Sequence, residues 1–244
     1  MLVDVRGRAL CARIRGKGPA VVLDCGGAGA GVDGGWGPDL EALLAESHTV
    51  VSYDRAGSGQ SGGDTPGTVA EMADDLRELL RGLEIRLPAV FVGWSFDALV
   101  TQVFATRHPE DVAGLVFVDP TPTGQRPGSK ALQRAGFAVT PLLLRMSPRT
   151  RELGRALRHM RENIAEATEV VERNGLPAVR LRVLGAGVRP RLPRAQAEFQ
   201  ERSLRELAAR SPLGEFVLVE DASHHIPLER PESVVEAVRW AHSG

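Results

Sequence analysis

What this chain has little of already narrows its function. Cysteine occurs twice in 244 residues, as Cys11 and Cys25, which gives neither a disulfide framework nor metal-ligand spacing. Lysine is almost missing: of 30 basic residues only Lys17 and Lys130 are lysine, a bias that fits genome composition better than function. Net charge is also scarce, at −1, so no global field draws the chain to nucleic acid or an anionic membrane. No run approaches the length that crosses a bilayer, and Met1-Leu2-Val3-Asp4-Val5-Arg6 lacks the apolar core of a signal peptide. Neither a G-x-G-x-x-G opening a helix nor a G-K-[ST] is present to hold a nucleotide. The expectation is a cytoplasmic protein without nucleic-acid or membrane partners; its oligomeric state is open.

What is present fits one soluble domain with a full core, at 43% hydrophobic and 25% charged residues over 1–244. Alternation over residues 2–15 with a turn at Arg6-Gly7-Arg8 predicts an opening hairpin. Apolar runs at Pro19 to Leu23, His48 to Tyr53, from Val90 to the turn before Ser95, and Leu115 to Val118 predict buried strands. Helical spacing separates them, clearest in Leu76, Leu79, Leu80 and Leu83. Strands alternating with helices predict an α/β fold with a mostly parallel central sheet flanked by helices. From Thr121 to about Gly175 the rhythm breaks: strand signals stop, and Leu153, Leu157, Met160 and Ile164 form one apolar stripe among arginines. We expect residues 121–175 to be a helical insertion that acts as a lid. Strands resume at Val179 to Leu184 and Phe216 to Val219, with a helix near Arg194 to Ala209 between them and another from Pro231 to about His242.

Chemistry concentrates in Val90-Phe91-Val92-Gly93-Trp94-Ser95-Phe96-Asp97-Ala98-Leu99-Val100. It reads as a strand, a sharp turn with a serine at its tip, and the start of a helix, a geometry that exposes the hydroxyl at the sheet edge. A serine needs a neighbouring base to take its proton, normally a histidine oriented by a carboxylate. Of six histidines only His224 and His225 occupy a loop between the last strand and the last helix, at the carboxyl edge that parallel strands share.

In these residues the sequence resembles the α/β-hydrolase superfamily over nearly its whole length. The resemblance is carried by Gly93-Trp94-Ser95, by the loop Asp54-Arg55-Ala56-Gly57-Ser58-Gly59-Gln60-Ser61, and by Ser223-His224 with Pro231 seven positions later. It implies a nucleophile at Ser95 and a base at His224, with His225 as the alternative. Many members carry the acid after the strand that follows the lid, but no acid lies between Glu172 and Glu198. A second family arrangement puts it after the preceding strand, where Asp119 stands. The backbones of Phe96 and Gly27 are the implied oxyanion donors, Gly26 and Ala28 being close alternatives to Gly27. Gly26, Ala28, Trp94, Asp97 and His225 are implied around the substrate pocket. No metal or organic cofactor is implied.

The reaction implied is serine hydrolysis of a small or medium carboxylic ester, thioester or lactone, so that the expected partner is a small molecule with an acyl group. Acyl transfer or cyclisation, a perhydrolase reaction on the same residues, and a non-catalytic ligand-binding protein of this fold are the alternatives. Asp97 keeps them open, because it stands where the G-x-S-x-G pattern ends in glycine. Its side chain either turns into a local hydrogen bond, or reshapes the site for other chemistry, or leaves a poor hydrolase. Asp24, Cys25 and Asp54 read as structural residues.

Overall fold

Successive side chains of a strand point to opposite faces, and a strand buried on both faces therefore reads as an unbroken apolar run. Strand β5 (Ala89–Trp94) is buried at every position. Its Val90 and Val92 enter one hydrophobic cluster and its Phe91 enters another. The same division separates Val21 and Leu23 from Val22 in β3 (Ala20–Asp24), and Val116 and Val118 from Leu115 and Phe117 in β6 (Val112–Val118). Helices must therefore cover both faces.

The structure, a computed structural model, describes residues 1–24, 31–122, 151–189 and 193–243. Strands β1 (Leu2–Val5) and β2 (Arg8–Arg15) form the antiparallel opening hairpin. With β3, β5, β6, β4 (Thr49–Tyr53), β7 (Arg180–Ala186) and β8 (Gly214–Val219) they build an eight-stranded sheet in the order β1-β2-β4-β3-β5-β6-β7-β8. β2 pairs antiparallel with β4; from β4 through β8 every pairing is parallel. The loops after β3, β4, β5, β6, β7 and β8 consequently leave the sheet at one edge.

One face is covered by α1 (Pro38–Ala45) and α7 (Pro231–His242), through Leu40, Leu44, Val234 and Val238. The other carries α2 (Val69–Gly82), α3 (Asp97–Arg107), α4 (Arg151–Asn174) and α5 (Arg194–Ala208). Helix α2 begins where the Thr68 hydroxyl accepts the Glu71 N–H at 3.1 Å, an N-cap, and buries Leu76, Leu79 and Leu80 as its spacing predicts. A short helix α6 (Ile226–Glu229) precedes α7. Among the described residues no helix is long and apolar enough to cross a membrane.

The expected insertion is described only in part. Residues 123–150, with Phe137, Leu142, Leu143, Leu144 and Met146, lie outside the described residues, as do the side chains of Leu153, Leu157 and His159. The later part of α4 packs on the helices beside the sheet: Ala167 is buried in the cluster that includes Phe104 of α3, with Met160 and Ile164 against it. Glu166 also accepts the Val69 N–H at 3.1 Å, tying α4 to the start of α2.

Helix α7 lies close against the sheet at Gly114 of β6, where a Cβ would lie 2.6 Å from the Ala241 carbonyl oxygen and 3.0 Å from its Cβ. Gly114→Val must push α7 off the sheet, and overpacking of this kind costs about 1–3 kcal/mol. A lower urea midpoint with the slope retained is the expected result; an unchanged midpoint would show that α7 moves freely there.

Candidate active site

The turn after β5 is tight because two backbones meet there. A Cβ on Gly93 would lie 2.7 Å from the Ala98 Cα and 2.7 Å from the Thr101 hydroxyl, so glycine lets the strand and α3 close on each other. Ser95 follows with φ 58°, in the left-handed region that side chains other than glycine rarely adopt. Its N–H donates to the Val118 carbonyl at 3.0 Å, and its carbonyl accepts the Thr121 N–H at 2.9 Å, which fixes the turn against the end of β6. The half-buried Ser95 hydroxyl lies 3.1 Å from His224 Nε2.

His224 stands on the loop after β8, and His224 Nδ1 is 2.6 Å from Asp119 Oδ2. Asp119 ends β6 at φ 38° and is buried. Burial pushes its carboxyl up, but hydrogen bonds from His224 and Arg189 and the arginine's charge outweigh that, holding it below the usual carboxylate range. An ionised carboxylate only accepts, so Nδ1 carries the proton toward Asp119 and the Nε2 lone pair faces the Ser95 hydroxyl. Ser95, His224 and Asp119, expected from three distant stretches, are thus joined in one hydrogen-bonded chain.

The remaining lone pairs of Asp119 are taken up by β7. Oδ1 accepts the Ala186 N–H at 3.3 Å and pairs with Arg189, while Arg189 Nη1 also lies 3.4 Å from Oδ2. Sequence reasoning missed Arg189. Where many members carry the acid, this chain has a cation that reaches the acid on the neighbouring strand; the acid-free run from Glu172 to Glu198 was the available signal.

Two aromatic contacts place the histidine loop. Trp94 Nε1 donates to the His224 carbonyl at 2.9 Å, and the Trp94 ring lies 5.8 Å from that of His224 and 6.0 Å, edge-on, from that of His225. His225 is exposed and flanks the site, its Nδ1 3.4 Å from the Ser223 hydroxyl. Asp24 and Asp54 hold the surroundings of the site, Asp24 through side chains and Asp54 through backbone N–H groups. Asp24 accepts from the Tyr53 hydroxyl at 2.5 Å and the Thr101 hydroxyl at 3.0 Å, whereas Asp54 accepts the N–H groups of Val32 and Gln60, each at 2.8 Å.

Asp97, the first residue of α3, is fully buried and pairs with the buried Arg55 of the loop after β4. Its carboxylate is turned to a partner 42 positions earlier rather than to a local donor. Phe96 is buried between Ser95 and Asp97, with the Arg55 guanidinium carbon 5.7 Å from its ring centre. Cys25, Gly26, Gly27 and Ala28 lie outside the described residues.

A family model described as the alpha/beta hydrolase family matches residues 21–237. An AB hydrolase superfamily protein of Gibberella zeae is 32% identical over 124 residues, covering 49% of this chain and 37% of that protein. A putative carbamate hydrolase RutD of Serratia proteamaculans is 37% identical over 107 residues, covering 43% of this chain and 39% of its own length. The match thus spans under two fifths of the length of these curated relatives. Among solved structures, a thermophilic esterase from Thermogutta terrifontis with malate bound superimposes with TM-score 0.74 at 21% identity, over 98% of this chain and 96% of that one. The enol-lactonase from Burkholderia xenovorans LB400 gives TM-score 0.67 at 20% identity over 100% of both chains. Such identities speak to the fold alone, but the family model runs from the second residue of β3 well into α7. On that match, the chain belongs to the alpha/beta hydrolase family.

Proposed function

We propose that the protein is a serine hydrolase that cleaves a small or medium carboxylic ester, thioester or lactone through an acyl-enzyme. The observation that carries this reading is the chain from Ser95 through His224 to Asp119, with contacts of 3.1 Å and 2.6 Å. The Ser95 hydroxyl attacks the substrate carbonyl while its proton passes to His224 Nε2. The tetrahedral oxyanion takes hydrogen bonds from the Phe96 N–H and from the loop after β3, for which Gly27 is our candidate. Collapse sends the proton from His224 to the leaving group and leaves Ser95 acylated. A water molecule, deprotonated by His224, then releases the acid. Asp119 keeps the imidazole in the required tautomer and faces the positive charge it acquires. In this reading residues 121–175 are the lid.

A fluorophosphonate probe tests the nucleophile. Stoichiometric labelling at Ser95, lost in Ser95→Ala and in His224→Ala, is expected. A protein that stays unlabelled and splits no activated ester would instead be a ligand-binding member of the fold. The substrate panel contains esters, thioesters and lactones, and also carbamates because of the relatives named above. Product transferred to an added alcohol, or peracid formed from peroxide, in preference to hydrolysis would replace hydrolase with transferase or perhydrolase.

Asp119→Asn is expected to lower kcat by about 10⁴-fold, as when a triad carboxylate is neutralised and the histidine takes the wrong tautomer. A near-normal rate would remove Asp119 from the mechanism. The same carboxylate makes stability depend on pH. Its folded value lies below the unfolded one, so its contribution is present above about pH 4 and is lost as pH falls through the folded value. The difference in urea stability between the native protein and Asp119→Asn should therefore begin to shrink as pH falls below about 4 and close only below the folded value; a constant difference would contradict the depressed ionisation.

A further inference from the structure

The elbow holds a second charged arrangement that the reaction scheme does not use. Asp97 opens α3 one residue after Phe96, and both are buried. The first turn of a helix carries unsatisfied N–H groups and a partial positive charge, which favour a developing oxyanion. A buried carboxylate at that position would absorb this field and repel the oxyanion. Arg55 supplies the compensating charge. It comes from the loop after β4, Asp97 from the turn after β5, and β3 lies between these strands in the sheet. The pair therefore spans the strand from which the glycine-rich loop leaves. The same guanidinium lies over the Phe96 ring, so one side chain touches both residues that follow the nucleophile.

We propose that Arg55 is a positioning residue of the elbow: it cancels the charge of Asp97 and holds Phe96 so that the Phe96 N–H stays aimed at the oxyanion. Arg55 and Asp97 then act as one unit, and the chain dispenses with the usual glycine because it carries both. The catalytic part of this inference rests on Ser95 being the nucleophile. The positioning part does not. Relief of an obstruction is consequently not what Asp97→Gly should give: that change removes the carboxylate that pairs with Arg55 beside Phe96 and is expected to lower activity.

The experiment is a double-mutant cycle of Arg55→Met and Asp97→Asn on the full chain, with kcat and KM measured across pH for the ester that the native protein splits best. Arg55→Met should lose about 100-fold in kcat, the scale of one lost oxyanion donor, with KM changed less than about threefold. An unpartnered buried carboxyl favours its neutral form, so this variant should gain activity as pH falls through a new ionisation that the double variant lacks. The double variant should recover most of the lost kcat. Arg55→Lys, which keeps the charge but not the fork, should fall between the native protein and Arg55→Met. Independent multiplication of the two single effects, or full activity in Arg55→Met, would overturn the proposal.

Labelling with ¹⁵N-phenylalanine, of which the chain has seven, gives a readout that needs no turnover. The Phe96 amide should shift in Arg55→Met and return toward its native position in the double variant, while Phe216 on β8 stays fixed. A Phe96 amide that does not move overturns the positioning role even if the protein proves inactive, whereas an unlabelled Ser95 overturns only the nucleophile. Should Arg55→Met fail to fold, Arg55→Lys and Asp97→Asn carry the same comparison, and a native Phe96 shift in both is the refuting result.

Discussion

One buried carboxylate binds the ends of three neighbouring strands. Asp119 directly follows β6, takes the Ala186 N–H from the end of β7 and the Arg189 guanidinium from the loop after it, and takes Nδ1 of His224 from the loop after β8. Its own N–H donates to the Leu184 carbonyl at 2.8 Å, so backbone and side chain both face β7. A charge this deep persists only if its lone pairs are occupied, and here nearly all of that work falls to the residues that shape the site. Any displacement of β7 or of the histidine loop is therefore felt at Asp119. The left-handed backbone of this residue, matched by that of Ser95 on the adjacent strand, sets both side chains at the same edge.

The hydrophobic core reaches this constellation through Trp94. Alternation along β5 sends the indole into the cluster that holds Trp36, 5.7 Å away between ring centres, and the indole N–H holds the His224 carbonyl. An aromatic with one polar handle suits such a border, since its ring can be buried while its N–H finds a partner. Trp94, one residue before Ser95, thus fixes the loop that carries His224. The placement of Ser95 against His224 therefore rests on the packing of Trp94 beside Trp36 as well as on the hydrogen bonds at the edge.

Much of this was legible in the sequence because it depends on local periodicity. The buried run of β5, the alternating hairpin and the leucines of α2 specify their elements with little help from distant residues. The histidine loop was legible because parallel strands share one carboxyl edge, which leaves few places from which a base can reach the elbow. The ion pairs were not. Arg55 and Arg189 sit in loops, where no period marks which way a side chain points, and their partners stand 42 and 70 positions away. Aspartate in place of glycine at position 97 signalled that something differed at the elbow, but only the fold brings Arg55 to it. Of the expected insertion, the stretch that forms α4 was legible as a helix, but its apolar stripe did not say what it packs against.

The Arg55–Asp97 pair also constrains how such a sequence can change over generations. Removing one partner of a buried ion pair is a defect that costs several kcal/mol in pairs of this kind. A total stability of about 5–15 kcal/mol leaves little room for an intermediate that carries it. A lineage that holds both residues must therefore abandon them together, or first gain stability elsewhere. Buried charges make the elbow a ratchet: easy to inherit, hard to reverse by single steps, and a lasting mark of descent on any homologue that shares it.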